Sequence, residues 1–437
     1  MSIFDQSVLQ QAAAMTDRLF EELKAGSFDP VSSGVCRDTY GAGEQFAHDL
    51  VRQHAQSMGL SVWHDHLLNT YMSLKGANTG LPAIVIGSHL DSVHSGGNYD
   101  GAAGVVAGLV AAKMLDMQGI RLERNLTVMG VRAEESMWFQ HSYIGSRGAL
   151  GTLDPEALNH RRVDTGRTLE TYLMEAGGDP QAVRERRAVL SSSNVEAFFE
   201  VHIEQAPSLA ADGYPVAVGT AIPGNVRYAH ARIVGEYGHV GLPKRFRHDA
   251  ALAGAELFVA MQTFWEQEDA AGRPMAFTIG EFHTDSTRHG LTIVAGEFQF
   301  SIDMRAYDSD HLAAIEAKFL ETVRQIEARH GVRFELGPRS SAPVALADPQ
   351  LSADLREAAE RLEIEATDLL SPASHDAAAF NAAGIPYGFL FVRNDNGSHH
   401  PQEHMDHGDF MLAVRVLAEM LVKRYGCGSV VCRAGIS

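Results

Sequence analysis

Residues 87–104, GSHLDSVHSGGNYDGAAG, decide how this chain is arranged. The apolar run before them is typical of a buried strand, and the small-residue run that begins at Ala102 is typical of a buried helix. His89, Asp91 and Asp100 lie between the two runs, among glycines that allow sharp turns. Because open α/β sheets bind ligands beyond the carboxyl ends of their strands, this layout predicts metal-ligand side chains at such an end. A polar turn that only caps the helix is the alternative for this stretch alone.

The composition is that of a globular protein large enough for two or three domains. Of the 437 residues, 45% are hydrophobic and 21% are charged. The formal net charge of −19 argues against a nucleic-acid partner, which requires a basic face. No apolar segment reaches the ~20 residues that a membrane-crossing helix needs. We therefore expect neither a nucleic-acid partner nor a membrane partner.

Three cysteines, Cys36, Cys427 and Cys432, do not make a disulfide framework, and the last two lack the spacing of a zinc motif. They are predicted to be ordinary thiols in a reducing compartment. The first residues, MSIFDQSVLQ, contain no basic stretch followed by an apolar one, so no signal peptide is expected. The predicted location is the cytoplasm.

The chain alternates between apolar runs typical of strands and amphipathic runs typical of helices. The predicted strands are 60–63, 69–74, 81–86, 126–131 and 197–201, and the predicted helices are 7–23, 40–58, 102–115 and 410–424. Residues 154–187 are polar and are predicted to form peripheral helices and loops. This alternation predicts an α/β fold with a mostly parallel sheet and helices on both faces.

The pattern changes near residue 221. The predicted elements that follow are strand 226–234, helix 248–267, strands 276–282 and 296–304, helix 309–330 and strand 332–336. This β, α, β, β, α, β order resembles a ferredoxin-like split motif. The sequence therefore predicts an inserted α+β domain over 221–337 and a discontinuous catalytic domain over 1–220 and 338–437.

Metal-ligand residue types recur at the ends of other predicted strands, which favours a metal site over the capping alternative. Asp100 is the predicted bridge between two cations about 3.5–4 Å apart, with an activated water between them. His89 and Glu135 are predicted to bind one cation. His202 and His399 are predicted to bind the other.

Two carboxylates are predicted to support these ligands. Asp91, two residues after His89, is suited to accept the second imidazole N–H and so to set the tautomer of the ring. Glu134 and Glu135 are adjacent, so their side chains point in different directions at a strand end. One can bind metal while Glu134 stays free as a general base that passes a proton from water to a leaving nitrogen. A pair of solvated surface glutamates is the alternative.

Eight motifs carry a resemblance to a known family, and they occur in that family's order. They are GSHLDSV, GGNYDGAAGV, RAEES, HIEQAP, GHVG, SIDMR, SHDAAAF and SHHPQE. Over almost its whole length the chain resembles the N-carbamoyl-L-amino-acid hydrolase and allantoate amidohydrolase (hydantoinase/carbamoylase) family of binuclear metal amidohydrolases. That family is related to zinc aminopeptidases and aminoacylases.

The resemblance implies a catalytic domain that holds two divalent ions and a smaller lid domain that also forms a homodimer. Zinc is the first expectation for the ions, with manganese, cobalt or nickel as alternatives. In the histidine-rich loop that contains His399, His400, His404 and His407, it selects His399, because Ser398 and Pro401 complete the SHHP motif. The resemblance also implies the five ligands named above, with Glu134 as the base.

Four further residues receive roles only through the resemblance. His239 of GHVG would stabilise the oxyanion when the lid closes, and Gln205 and Arg305 would hold the substrate. His375, next to Asp376, would lie close to the metals. The alternatives are a turn position for His239, an ion pair with a neighbouring aspartate for Arg305, and a packing role for His375.

The chain departs from the family around the substrate. Ser136, Met137 and Trp138 replace the usual Gly, Ser and Arg, and Thr292 replaces an asparagine that touches substrate. The loops after His239 and before His399 are also shorter than usual. Trp138 suggests a bulkier or less polar acyl group than carbamoyl, or else a residue of the core.

The predicted activity is hydrolysis of a linear C–N amide bond by attack of metal-bound hydroxide. The predicted small-molecule substrate is an N-carbamoyl or other N-acyl amino acid, with ureido and allantoate-like compounds included. An aminoacylase or dipeptidase with the same site is one alternative, and an enzyme with a single metal is another. A non-catalytic binding or scaffold protein that keeps the fold is the alternative from a different class.

Overall fold

A computed structural model describes residues 2–427 and divides the chain into two compact units. The first is Met1–Ile222 with Leu346–Ser437, and the second is Pro223–Ala345. The predicted end of the inserted domain at residue 337 is too early, because Arg339–Ala342 forms a strand that pairs with Gly224–Val234 of the second unit. The role of the second unit as a lid and dimerisation domain stays a prediction.

The structure contains the following elements in chain order. The strands are β1 (Phe28–Asp29), β2 (Gly34–Val35), β3 (Ser61–His64), β4 (Thr70–Leu74), β5 (Ala83–His89), β6 (Leu126–Val131), β7 (Val195–Ile203), β8 (Val216–Ile222), β9 (Gly224–Val234), β10 (Gly238–His239), β11 (Met275–Thr278), β12 (Phe282–Thr284), β13 (Ile293–Val294), β14 (Glu297–Ala306), β15 (Arg333–Glu335), β16 (Arg339–Ala342), β17 (Ala345–Leu346), β18 (Ala366–Leu370) and β19 (Tyr387–Val392). The helices are α1 (Gln6–Ser27), α2 (Ala42–Ser57), α3 (Ala102–Met117), α4 (Ser136–Phe139), α5 (Ile144–Ala149), α6 (Leu169–Ala176), α7 (Pro180–Arg184), α8 (Ser208–Asp212), α9 (Ala250–Ala270), α10 (Ser309–His330), α11 (Pro349–Arg361), α12 (Ala377–Ala382) and α13 (His407–Tyr425).

The first unit is built on one large sheet. Its order is β17-β8-β19-β7-β5-β6-β4-β3, with β18 paired to β8. The central strands β19, β7, β5 and β6 are parallel, whereas β3 and β4 form an antiparallel edge. Phe199 faces the core beneath α1, α3, α11 and α13, while Phe198 lies on the other face and stacks on Phe380 of α12 at 3.8 Å. The predicted α/β fold, mostly parallel with helices on both faces, is confirmed.

Helix α3 begins just after Asp100, and its residues 102–112 are all buried, which is why that part of its sequence is made of small and apolar residues. Two glycines, Gly104 and Gly108, let its backbone approach the sheet closely. A Cβ atom on Gly104 would lie 2.6 Å from Ser88 Cβ and 2.7 Å from the Val201 carbonyl oxygen. The helix therefore has a tightly determined position relative to β5 and β7.

The second unit has the predicted ferredoxin-like arrangement. Its sheet order is β11-β14-β9-β15, with β12 paired to β14 and β16 paired to β9. Alternate residues of β14 are buried, and α9 and α10 pack on that face. The antiparallel pair formed by β10 and β13 was not predicted, because strands of two residues have too little periodicity to detect.

Several boundaries differ from the predicted ones. Strand β5 runs to His89 and β7 runs past His202, so both residues lie within strands rather than after them. Strand β8 was missed because nearly all of its residues are buried, so it lacks the alternation that marks a half-buried strand. Cys36 and Cys427 are free thiols, and Cys432 lies outside the described residues. Among the described residues, every helix is too short or too polar to cross a membrane.

Replacing Gly104 with alanine is expected to lower the free energy of unfolding by about 1–3 kcal/mol, because a new methyl group would overlap main-chain and side-chain atoms of the sheet. Urea unfolding measures this loss. Gly80→Ala is the control, because the nearest atom to its added Cβ is an Asn78 side-chain oxygen 3.4 Å away. Equal losses in the two variants would contradict the close-approach argument.

Candidate metal centre

The predicted ligands meet at the carboxyl ends of three parallel strands. His89 ends β5, His202 lies at the end of β7, and Glu135 follows β6. These strands are neighbours in the order β7-β5-β6, so their carboxyl ends share one edge of the sheet. Asp100 lies just before α3, and His399 lies in the loop between β19 and α13.

The carboxylate of Asp100 is at the centre of this group. Its Oδ1 lies 3.3 Å from Nε2 of His89 and 3.3 Å from Nε2 of His202. Its Oδ2 lies 3.4 Å from Nε2 of His399, and that nitrogen lies 3.4 Å from Oε1 of Glu135. The five predicted ligands are therefore brought together.

The contacts around Asp100 favour a different division of the ligands between two cations from the predicted one, although His89 also lies close enough to Glu134 and Glu135 to share an ion with them. His89 belongs with His202 on one oxygen of Asp100, and Glu135 belongs with His399 on the other. His89 and His202 lie on the neighbouring strands β5 and β7, and their ring centres are 5.8 Å apart. Order along the chain does not reveal which strands are adjacent.

Main-chain carbonyl groups orient the two buried imidazoles. Nδ1 of His89 lies 3.0 Å from the Asp91 carbonyl oxygen, and Nδ1 of His202 lies 2.9 Å from the Ile203 carbonyl oxygen. When Nδ1 donates to a carbonyl, the Nε2 lone pair points away as an acceptor, which is the form that binds a metal. In His202 this Nε2 accepts the Gly101 amide at 3.1 Å. The Asp91 carboxylate lies farther from His89 Nδ1, at 3.4 Å, so the predicted carboxylate contact is secondary to that of the main chain.

The residues present fit divalent cations. Oε1 of Glu135 is buried without a hydrogen-bond partner, which leaves an oxygen that a cation would satisfy. Imidazole nitrogens and carboxylate oxygens in this proportion suit zinc, manganese, cobalt or nickel. Burial opposes ionisation of Asp100, but the imidazoles of His202, His399 and His89 together outweigh it and hold the pKa of Asp100 well below its usual value. The site is thus arranged to keep a central anion among nitrogen ligands.

Glu134 differs from its neighbour. Its side chain is 8% exposed, and its Oε2 lies 4.0 Å from Nε2 of His89. Burial raises the pKa of the Glu134 carboxyl well above its ordinary value, and the neighbouring Glu135 adds to that rise. A buried carboxyl with a raised pKa can hold and release a proton, so the surface-pair alternative does not describe these glutamates.

Gln205 and His375 both lie beside the ligands. Nε2 of Gln205 donates to Oδ2 of Asp100 at 2.8 Å, and its own Oε1 is buried without a partner. The ring of His375 packs edge-on against His202 with 4.5 Å between centres, and its Nε2 lies 2.8 Å from the Ser371 hydroxyl. The packing alternative thus describes the observed contacts of His375.

Three positions at the site have left-handed backbone, which is costly for residues other than glycine. They are Ala133 (φ 56°), Gln205 (φ 63°) and His399 (φ 58°). His399 is itself a candidate ligand, Ala133 directly precedes Glu134, and Gln205 donates a hydrogen bond to Asp100. Strain of this kind persists only where surrounding bonds hold it, which indicates that the local geometry is important for function.

His239 and Arg305 lie on the second unit. His239 is exposed on β10, and its Nδ1 accepts a hydrogen bond from the Gly241 amide at 3.1 Å. Arg305 on β14 donates through Nη2 to Oδ2 of Asp303 at 2.9 Å, which is the ion pair named as the alternative. Their predicted roles with substrate stay predictions.

Trp138 is a residue of the core. It is 5% exposed, its Nε1 donates to the Ser92 carbonyl at 2.8 Å, and the Arg162 guanidinium lies 4.6 Å above its ring. Of the two interpretations of Trp138, the structure favours the core residue over the sign of a bulkier or less polar acyl group. The sequence left both open, because a large apolar residue near a motif looks the same whether it faces the substrate or the core.

Sequence reasoning missed two carboxylates. Oε1 of Glu403 accepts the amide hydrogens of Tyr99 at 2.8 Å and Asp100 at 3.2 Å, so it fixes the start of α3. Glu200, on β7, accepts a hydrogen bond from the Ser88 hydroxyl at 2.6 Å. Glu200 and His202 are two residues apart on one strand, so their side chains point to the same face of the sheet. This spacing could have identified Glu200 from the sequence.

Comparison with known proteins confirms the resemblance. Residues 85–423 match peptidase family M20/M25/M40. The chain is 29% identical over 395 residues to an N-carbamoyl-L-amino-acid amidohydrolase of Pseudomonas sp. (strain NS671), covering 89% of this chain and 93% of the relative. It is 29% identical over 399 residues to the allantoate deiminase of Arabidopsis thaliana, covering 85% of this chain and 75% of the relative.

A solved structure agrees with the observed fold. The crystal structure of a hydantoinase/carbamoylase family amidase from Burkholderia ambifaria superimposes with a TM-score of 0.81 at 25% identity, over 95% of this chain and 98% of that one. The family match runs from the strand that ends in His89 to the last helix and includes every candidate ligand. With a match over that range, the chain belongs to peptidase family M20/M25/M40.

Proposed function

We propose that this protein is a metal-dependent amidohydrolase that cleaves a linear C–N bond of an N-carbamoyl or other N-acyl amino acid, including ureido compounds such as allantoate. One observation carries the proposal. Both oxygens of the buried Asp100 face imidazoles, and a separate buried carboxyl, Glu134, lies beside them. The names of the relatives support the choice of substrate class.

Two divalent ions are proposed for this site, with zinc first and manganese, cobalt or nickel as alternatives. His89 and His202 would hold one, Glu135 and His399 the other, and Asp100 would contact both. Bound there, the ions supply Lewis-acid activation of the scissile carbonyl and of water.

Glu134 is proposed to move the proton. Its carboxylate would take a proton from the attacking water and return it to the departing nitrogen, which must leave as a neutral amine. Its main-chain amide donates to Oδ1 of Asp91 at 3.1 Å, so the base is held at the rim of the ligand group. Gln205 keeps an unsatisfied Oε1 beside Asp100, which suits a contact with a donor group of the substrate.

A dipeptidase or aminoacylase with the same site is the second candidate, because the matched family is named for peptidases. A non-catalytic scaffold is disfavoured by Glu134, because a binding protein has no use for a buried proton carrier next to its ligands.

A homodimer through the second unit is also proposed. That unit exposes large apolar side chains, which are Val240, Phe246, Leu252, Val259, Phe282, Leu291 and Ile293. Leu252 and Val259 are seven residues apart on α9 and therefore share one face of the helix. Exposed apolar residues in such number on a unit of this size favour a protein partner.

Glu134→Gln is expected to lower kcat by about 10²–10⁴-fold, because glutamine cannot accept a proton from water. Elemental analysis should show unchanged metal content, since Glu134 is not a proposed ligand. Glu135→Gln is the matched control and should lose metal as well as activity. If Glu134→Gln retains parental kcat, the assignment of the base is wrong.

A substrate panel separates the two candidate activities. Metal-reconstituted protein should release amine or ammonia from N-carbamoyl amino acids or allantoate at higher kcat/KM than from N-acetyl amino acids or dipeptides. Turnover of only the last two classes would replace the proposed activity with the second candidate. No turnover in any class, with two ions bound, would favour the scaffold.

Val259→Glu tests the dimer. Val259 is 66% exposed on α9, so a glutamate should not disturb folding but would place a charge in the proposed apolar interface. Light scattering should give a dimer mass for the parent and a monomer mass for the variant. Val163→Glu in the first unit is the control and should remain a dimer. A monomeric parent would remove the proposal.

A further inference from the structure

Three consecutive amide groups after β6 each donate a hydrogen bond to a carboxylate. The amide of Ala133 donates to Oε1 of Glu44 at 2.9 Å. The amides of Glu134 and Glu135 donate to Oδ1 and Oδ2 of Asp91 at 3.1 and 3.2 Å. The two carboxylates therefore define the path of the main chain that carries the proposed base and one proposed ligand.

This path needs support because Ala133 has left-handed backbone with φ 56°. That conformation is unfavourable for a residue with a Cβ atom, because the Cβ approaches the following carbonyl oxygen. It reverses the chain directly after β6, so Glu134 points towards His89 and Glu135 points towards His399. If the backbone of Ala133 changed to a more favourable conformation, the carboxylates of Glu134 and Glu135 would move.

Glu44 is placed to prevent that relaxation. It lies on α2, is fully buried, and pairs through Oε2 with Nη1 of Arg132 at 3.0 Å. The same Oε2 accepts the amide of Tyr40 at 2.6 Å. The carboxylate therefore joins the segment before α2 to the turn after β6 through charge-assisted bonds, which are stronger than neutral ones.

Thr39 acts on the other carboxylate. Its side chain is fully buried, and its hydroxyl donates to Oδ2 of Asp91 at 2.6 Å. That oxygen also accepts the amide of Glu135. The hydroxyl thus orients the carboxylate that holds Glu134 and Glu135.

Arg37 supports the loop between the first two ligands. Its fully buried guanidinium donates through Nε to the Leu90 carbonyl at 2.8 Å, and through Nη2 to the carbonyls of Asn98 at 3.3 Å and Asp100 at 3.4 Å. These contacts lie at the two ends of the loop that separates His89 from Asp100. One side chain thus fixes the spacing between both ligands.

We propose that residues 37–44, the positioning segment, orient both halves of the metal centre through Arg37, Thr39 and Glu44. The proposal rests on the proposed function for its catalytic consequence. It assigns no contact with substrate to these residues. Thr39 acts through Asp91, Glu44 through the main chain of Ala133, and Arg37 through the main chain of the loop between His89 and Asp100. The segment adds to the site three residues that no metal-ligand motif contains.

Thr39→Val is the first test, because valine keeps the shape of threonine and removes only the hydroxyl. Loss of a group that orients metal ligands typically costs 10–100-fold in metal affinity or activity. We expect that loss in kcat, with KM within twofold, and a 10–100-fold weaker affinity for Zn²⁺ measured by chelator competition. Thr39→Ser keeps the hydroxyl and should return both quantities to within twofold of the parent.

Matched controls separate positioning from general stability. Thr16→Val removes another fully buried hydroxyl, which donates to Met411 Sδ far along the chain. Glu44→Gln is compared with Glu419→Gln, because Glu419 is also buried and accepts a main-chain amide, that of Ile3. The controls should lower the melting temperature without changing Zn²⁺ affinity or kcat.

The proposal is overturned if Thr39→Val and Glu44→Gln change Zn²⁺ affinity and kcat no more than their controls do. If Glu44→Gln does not fold, Thr39→Val and its serine rescue decide alone. Zn²⁺ affinity is measured without substrate, so it reports on positioning even if the parent hydrolyses no amide. Absence of amide turnover in the parent would instead refute the proposed function.

Discussion

The site depends on one buried carboxylate that two groups of ligands share. The oxygens of Asp100 face different imidazoles, with His89 and His202 near one and His399 near the other. Removing so many ionisable groups from water is unfavourable unless their charges compensate one another or a cation joins them. Ser398 and Gln205 donate further hydrogen bonds to the same carboxylate. The surrounding fold must therefore hold these groups at fixed positions.

Close packing of α3 against the sheet is one of the features that hold these groups in position. Asp100 lies just before this helix, and Gly104 brings the helix against the main chain of β7. The carboxylate is thereby positioned relative to the imidazoles that end β5 and β7. Packing without voids transmits small shifts, so a displaced helix would displace the shared ligand. The contact between α3 and the sheet therefore contributes both to the stability of the fold and to the position of Asp100.

Backbone strain is concentrated where the ligands are, and hydrogen bonds to buried carboxylates balance it. Ala133 is left-handed just before the glutamate pair, and its amide is satisfied by Glu44. Glu403 likewise accepts hydrogen bonds from the amides of Tyr99 and Asp100, which precede α3. Acidic residues therefore have two uses in this protein. Some face the cation site, and others stay behind it and bind the main chain.

Much of the fold and most of the site were predictable because their signals are local. The apolar runs before His89 and Glu134, the small-residue helix after Asp100 and the ferredoxin-like order of the second unit all depend on short-range periodicity. The ligand types were readable from motifs for the same reason. Glu44, Thr39 and Glu403 were not, because their partners are distant in the sequence and a single polar residue has no pattern.

The sequence by itself determined the fold class, the candidate ligands and the family. Only the tertiary structure decided which ligands share an oxygen of Asp100, that Trp138 belongs to the core, and which carboxylates bind the main chain. The physical reason is that strand adjacency and side-chain direction arise from long-range pairing and packing. A local pattern specifies that a strand forms, but not which strand lies next to it.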